Sequence, residues 1–159
     1  MEEDSEEVVG FTCGSFDLLH AGHAMMLEEA ASHCDRLIVG VQSDPSIDRP
    51  NTKNRPVMDL NERLLMVKAI RWVDEAHTYT TEADLVMLLK RLQPDVRIIG
   101  ADWEGKEYTG HELPIRVVYN SRDHGYSTSD LRRRVFNAES ARLREYDARA
   151  IRSLGTKKY

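Results

Sequence analysis

The stretch Phe11–His23, FTCGSFDLLHAGH, leaves the chain few choices. An apolar run from Val8 to Cys13 has the composition of a strand, and Gly14 and Ser15 break it. Beyond His20-Ala21-Gly22-His23, the residues Leu27, Ala30, Ala31 and Cys34 recur at helical spacing. The order is strand, turn, helix start. Two histidines three apart, with only Ala and Gly between them, can project the same way at the beginning of that helix. A helix start favours anions, because its first N–H groups are unpaired and the macrodipole is positive there. Gly22 lets a bulky phosphate lie against the backbone, so the stretch reads as a phosphate cradle with side-chain donors. A lone histidine near a helix start is more often a cap or a packed surface group. A zinc site would need a third and usually a fourth ligand, and only Asp17 is near.

The 159 residues suit a single domain with a real core and leave no room for a second folded one. A net charge of −5 argues against nucleic acid as a partner, since that role needs a basic surface, whereas a small phosphorylated ligand needs only a local basic cluster. Residues 1–7 carry five carboxylates and no apolar core, and read as an acidic disordered arm, not as a signal peptide or membrane anchor. No apolar run approaches a membrane span. Cys13 and Cys34 both fall at apolar positions and read as buried free thiols in a reducing, cytoplasmic compartment.

Farther along, Arg36–Gln42 (RLIVGVQ) has the pattern of a strand buried on both faces, which implies a parallel sheet. Asp44–Pro56 is a long loop with three prolines, two asparagines, Arg49, Lys53 and Arg55. Loops of that length are usually functional or disordered, so its basic residues could close over a ligand or simply be solvated. Asp59 with Glu62 is a capping pair, and Leu60, Leu64, Val67 and Ile70 share one helix face, with Arg63 in the first turn. Trp72–Tyr79 reads as a short strand. Thr81 caps a further helix whose Leu85, Leu88, Leu89 and Leu92 are core, and Pro94 ends it. Val96–Gly100 and Ile115–Asn120 are the remaining strands, and Ser121–Ser129 leads into a second helix start before Leu131, Val135 and Ala138. The hydroxyls of Ser127, Thr128 and Ser129 fit capping, and Arg122 sets a cation before that second positive end, so the two termini could grip one polyphosphate from two sides. Gly100–Lys106 (GADWEGK) has P-loop spacing but fails as one. Glu107 stands where the magnesium-binding hydroxyl belongs, and Asp102 and Glu104 would repel phosphate.

The alternation of strands and helices gives an α/β, Rossmann-like, doubly wound parallel sheet in a single domain, with ligands at the carboxyl edge of the strands. Its expected limits are residues 8–139, followed by a basic C-terminal extension over 140–159.

The first motif resembles the G-x-F-D-x-x-H-x-G-H signature of the HxGH nucleotidyltransferases, matched by Gly14, Phe16, Asp17, His20, Gly22 and His23. The resemblance runs from about Val8 to Val135 and is nearest to the glycerol-3-phosphate cytidylyltransferases that make CDP-glycerol. Asp102, Trp103 and Lys106 match the D-D-W-E-G-K stretch of those enzymes, with Ala101 in place of the first aspartate. Arg122, Gly125, Ser127 and Thr128 match their R-T-x-G-I-S-T-[ST] motif, with His124 and Tyr126 where Glu and Ile are usual. The resemblance implies His20, His23, Lys53 and Arg122 as catalytic residues. Lys53 is the one lysine able to reach the α-phosphate from its loop, and the spacing leaves Arg49 and Arg55 open for that role. It implies nucleotide contacts from Cys13, Gly14, Ser15, Phe16, Gly22, Arg63, Asp102, Trp103, Tyr126, Ser127 and Thr128. It also implies magnesium as cofactor and a homodimer, while the ligand count argues against a metal held by the protein. Tyr108–Glu112 has no counterpart in the family and is a candidate acceptor-side element or a plain surface loop.

The expected reaction is transfer of CMP from CTP to a phosphorylated small alcohol or sugar, with release of pyrophosphate. Adenylyl transfer from ATP to a sugar phosphate, as in the heptose-phosphate branch of the same superfamily, is the alternative, because Ala101 alters the base-side strand end. A non-catalytic nucleotide sensor is the alternative from another class.

Overall fold

The computed structural model describes residues 6–155. Five strands form one parallel sheet: β1 (Val9–Gly14), β2 (Arg36–Gln42), β3 (Glu75–Tyr79), β4 (Val96–Gly100) and β5 (Arg116–Asn120), in the order β3-β2-β1-β4-β5. The helices are α1 (Ala21–Ala31), α2 (Leu60–Lys68), α3 (Glu82–Leu92) and α4 (Thr128–Gly155). The strand order reverses between β1 and β4, where Gly10 of β1 pairs with Leu37 on one side and Val96 on the other. In such sheets the crevice outside the carboxyl ends at the reversal is where ligands bind. Both sequence motifs end there.

The sheet is covered on both faces, which is why β1, β2 and β4 read as nearly continuous apolar runs. One core packs Leu27 and Ala30 of α1 and Val67 of α2 against Leu37, Val39, Val41, Val96 and Ile98, with Leu60, Leu64 and Ile70 at its margin. The other packs Leu85, Leu88 and Leu89 of α3 against Phe11, Ile38 and Tyr79.

Local chemistry sets the element ends. Asp59 and Glu62 close a reciprocal capping box on α2, and Thr81 and Asp84 do the same on α3. Gln93, in the left-handed region at φ 46°, stops α3 just before Pro94. The third strand begins at Glu75, three residues later than the sequence pattern suggests, because Asp74 has a different task. Its carboxylate accepts from Leu37 N at 2.7 Å, as Asp35 accepts from Val8 N and Asp95 from Val9 N, both at 2.8 Å. Aspartates placed just before β2, β3 and β4 thus stitch the amino edge of the sheet.

Glu7, within the expected acidic arm, pairs with Arg36 at 3.0 Å, and residues 1–5 lie outside the described residues, as do 156–159. The expected boundary at 139/140 falls inside α4, which runs unbroken from Thr128 to Gly155. Val135, Phe136, Leu143 and Tyr146 on it are exposed. Among the described residues no helix is long and apolar enough to cross a membrane.

Gly10 shows how tightly the central strand is backed. A Cβ there would lie 2.5 Å from Cys34 Sγ and 2.8 Å from Cys34 Cβ. Gly10→Ala should cost about 1–3 kcal/mol by overpacking, read as a lowered urea midpoint. An unchanged midpoint would show that the Cys34 side chain yields freely.

Candidate active site

Gly14 ends β1, and the next residues make a strained turn, with Phe16 at φ 51° and Leu18 at φ 50°. Non-glycine residues hold that region only when the surroundings over-determine it. Here Phe16 is buried in the core at 1% exposure, and the Asp17 carboxylate accepts from Val57 N and Met58 N at 3.0 and 2.9 Å. Arg132 of α4 adds an ion pair to Asp17 at 3.5 Å. The Phe16 side chain is therefore part of the core and does not line the cavity, a correction to the expectation above. Its ring centroid lies 5.4 Å from that of His23, with the two rings tilted by 48°.

The two histidines form the capping box of α1. Gly22 N–H donates to His20 Nδ1 at 3.1 Å, and His20 N–H donates to His23 Nδ1 at 3.3 Å. An Nδ1 that accepts carries no proton, so each neutral ring holds its hydrogen on Nε2. Both rings line the cavity, stacked at 3.9 Å. His20 Nε2 lies 3.2 Å from Thr128 Oγ1, whose own hydrogen goes to Asp17 O at 3.3 Å. The hydroxyl thus accepts from the imidazole, and the first residue of α4 is set against the first turn of α1.

Burial pushes the pKa of His23 down to about 4 from an ordinary 6.5, with the neighbouring His20 adding to the effect and Asp17 opposing it. That of His20 is lowered too, first by desolvation, then by His124 and Arg134. Both rings are neutral donors at neutral pH.

The cavity, about 640 Å³, runs across the carboxyl edge of the sheet. Of the residues expected at the site, Cys13, Gly14, Ser15, His20, Gly22, His23, Lys53, Asp102, Trp103, Arg122, Tyr126, Ser127 and Thr128 line it. Of the three basic loop residues, Arg49 and Lys53 reach it and Arg55 does not. Cys13 and Cys34 are free thiols, each half-buried rather than buried. Ser127 Oγ accepts from Asp130 N at 3.1 Å and so caps α4. Arg122 is paired with Asp102 across the mouth, both exposed. Tyr108 and Thr109 line the cavity, whereas His111 and Glu112 face solvent.

Two further expectations change. A Cβ on Gly22 would meet His124 Cε1 at 2.8 Å, His20 Cε1 at 3.0 Å and Tyr126 Cβ at 3.0 Å. The space left by its missing side chain is filled by His20 and by His124 and Tyr126 of the loop before α4, not by a phosphate. Arg63 is the second correction: it is 1% exposed and away from the cavity. Its guanidinium donates to the carbonyls of Ser15, Gln42, Ser43 and Met58 at 2.5–3.1 Å. With four of its five N–H donors spent on backbone carbonyls, it ties the β1–α1 turn to the end of β2 instead of facing the cavity.

Sequence reasoning missed Arg97, Glu82, Gln42, Tyr79 and His124, all in the cavity wall. The available signal for Arg97 was a charge inside the apolar run VRIIG, which a buried strand carries only with a purpose.

A family model described as cytidylyltransferase-like matches residues 11–134. The chain belongs to that family. Among relatives of this cytidylyltransferase-like chain, the bifunctional protein HldE of Campylobacter curvus is 35% identical over 139 residues, covering 87% of this chain and 30% of the relative. That of Bradyrhizobium is 40% identical over 105 residues, covering 66% and 21%. The chain thus spans less than a third of the length of these curated relatives. A solved lipopolysaccharide core biosynthesis protein from Thermoplasma volcanium superposes with a TM-score of 0.59 at 28% identity, over 76% of this chain and 99% of that one. The pantothenate synthetase of Thermus thermophilus, at 17% identity and TM-score 0.54 over 72% of this chain and 56% of that one, shares the fold.

Arg63→Met in this cytidylyltransferase-like chain leaves four carbonyls without a charged donor and should cost at least about 3 kcal/mol, measured by urea unfolding. A loss under about 1 kcal/mol would mean that water replaces the guanidinium. The histidines predict a pH dependence. Between about 4 and 6.5 the folded state binds fewer protons than the unfolded one, so stability is full above 6.5 and falls as pH drops toward 4. For His23 the loss should approach about 3 kcal/mol, and His23→Gln should flatten that part of the stability curve. A curve unchanged by the substitution would remove His23 as its source.

Proposed function

We propose that this chain transfers an adenylyl group from ATP to a phosphorylated sugar, releasing pyrophosphate and forming a nucleoside diphosphate sugar. The observation that carries nucleotidyl transfer is the pair of Nε2–H donors on His20 and His23, fixed by backbone and set against the start of α4. What supports ATP and a sugar is the company the chain keeps. Its relatives include HldE proteins at 33–40% identity, and a neighbour is named for the biosynthesis of lipopolysaccharide core, a saccharide. These favour the heptose-phosphate branch over the glycerol-phosphate one.

In this reading a phosphate oxygen of the sugar phosphate attacks the α-phosphorus, and the bond from the α-phosphorus to the bridging oxygen breaks as pyrophosphate leaves. The attacking oxygen is already ionised, so no base is required. His20 and His23 donate to phosphoryl oxygens, which gain charge toward the transition state, and a preorganised donor there does its work without reorganising. Thr128 gives up the His20 Nε2–H to the incoming phosphate, and Ser127 with the first N–H groups of α4 holds the outer phosphates. Lys53 and Arg122 add positive charge from loop and strand end. Magnesium, which the resemblance implies, would arrive on the nucleotide. The cavity carboxylates Glu82 and Asp102 are engaged with Thr109 and Arg122, and no three His, Cys, Asp or Glu among the described residues cluster as ligands.

CTP is the second reading, favoured by the match of Asp102-Trp103-Glu104-Gly105-Lys106 to the glycerol-phosphate enzymes. One assay separates them. Incubation with ATP or CTP and a panel of heptose, hexose and glycerol phosphates should release pyrophosphate best with ATP and a sugar phosphate. Turnover at least as fast with CTP and glycerol 3-phosphate would transfer the assignment to the second reading, and nucleotide binding without turnover would point to a sensor. His20→Ala and His23→Ala should each lower kcat by about 10²-fold or more with the fold intact by circular dichroism.

A further inference from the structure

The cavity has two unlike halves. The half beside α1 and α4 holds the histidines and hydroxyls of the nucleotide grip. The half beside α3 is lined by Arg49, Lys53, Tyr79, Glu82 and Arg97, and the mechanism above uses only Lys53. Three cations there face one carboxylate.

Arg97 is 4% exposed, inside β4. Its Nη1 donates to Thr109 O, and its guanidinium carbon sits 5.2 Å from the centre of the Tyr108 ring. The turn that supplies these contacts is shaped around it. Gly110 adopts φ 79°, and a Cβ on it would come within 3.1 Å of Arg97 Nη1. Thr109 in turn donates its hydroxyl to Glu82, whose other oxygen lies 3.6 Å from Arg49 Nη2. Arg49 also reaches Gln42 Oε1 at 3.4 Å. Yet Arg97 Nε and Arg49 Nε are buried without a partner. Buried donors on charged groups are rarely left unspent, and two of them on neighbouring walls of one cavity are most simply explained by a ligand that completes them.

We propose that the α3 half is the acceptor subsite: Arg97 and Arg49 bind the phosphate of a phosphorylated sugar, and Glu82 accepts hydrogen bonds from its hydroxyls. This rests on the transferase reading above. The charge balance has the right sign, since with Lys53 given to the nucleotide Arg49 and Arg97 still outnumber Glu82, and a phosphate monoester brings the anion that a neutral sugar would not. A guanidinium held by its neighbours is pre-organised to take phosphate oxygens, and Glu82 lies beside Arg49 to take hydroxyls from the same molecule. Within Tyr108–Glu112, a candidate acceptor-side element or surface loop by its sequence, Tyr108–Gly110 thereby becomes the scaffold of Arg97.

Calorimetry on the full chain tests it with two probes titrated separately: α,β-methylene-ATP, and a hexose or heptose 1-phosphate with the analogue already bound. Arg49→Ala and Arg97→Met should each raise the Kd of the sugar phosphate at least tenfold and leave that of the nucleotide analogue within twofold. Glu82→Gln should weaken the sugar phosphate but not inorganic phosphate, because it reads hydroxyls. Should Arg97→Met fail to fold, Arg97→Lys keeps the charge and replaces it in the same comparison with Arg49→Ala. Sugar phosphate binding unaltered in both arginine variants, or nucleotide affinity lost in parallel, overturns the subsite. A wild-type chain that binds neither nucleotide nor sugar phosphate overturns the transferase reading itself, so the two failures are distinct.

Discussion

Two hydrogen bonds from backbone to imidazole govern the chemistry of this site. Gly22 N–H and His20 N–H would be orphan donors at the start of α1, and such groups need partners. Usually a serine or aspartate oxygen serves. Here the acceptors are His20 Nδ1 and His23 Nδ1, so the act of capping also chooses the tautomer. The helix cannot begin in this way unless both rings present Nε2–H to the cavity. Protonating either ring at Nδ1 would break the cap, and burial, which holds the pKa of His23 down to about 4, keeps that ring in the neutral form the cap requires. Structure and reactivity are therefore one interaction seen from opposite ends of a five-membered ring.

That arrangement depends on a turn which is not comfortable by itself. Phe16 and Leu18 in the left-handed region cost of order 1–2 kcal/mol each, and three anchors hold them there. Burial of the Phe16 ring fixes one end, Asp17 binds the backbone leading into α2, and Arg63 gathers Ser15 with the end of β2. Each anchor reaches a different element. The turn can be strained because the loss of any one contact is resisted by the others, and a strained, over-determined turn is also one that positions its histidines without slack.

Much of this was legible in the sequence, for reasons that are local. The strands β1, β2 and β4 announce themselves as apolar runs because they are covered on both faces, and the caps at Asp59, Thr81 and His20 are decided within four residues. Arg63, Phe16 and Arg97 were misread or passed over, because their destinations are set by residues far away in the chain. A helix-borne arginine looks the same whether it meets phosphate or four carbonyls. Only the fold brings Ser15, Gln42 and Ser43 to it. In the same way Arg97 draws its meaning from Thr109 and Tyr108, which the sequence places in an ambiguous loop.

The two edges of the sheet divide the electrostatic labour. At the amino edge, Asp35, Asp74 and Asp95 each sit just before a strand and accept a backbone N–H from its neighbour. Acidic charge is spent there on holding the sheet, in bonds between a carboxylate and a backbone donor. At the carboxyl edge the pattern inverts: helix starts, neutral imidazole donors and basic side chains converge, and the carboxylates present are engaged by Arg122 and Thr109. A chain with a net charge of −5 can therefore offer a donor-rich crevice to a polyphosphate, because its acids are placed where they complete the fold. Net charge limits which large surfaces the protein can bind. The placement of charge along each strand decides what it can bind at its edge.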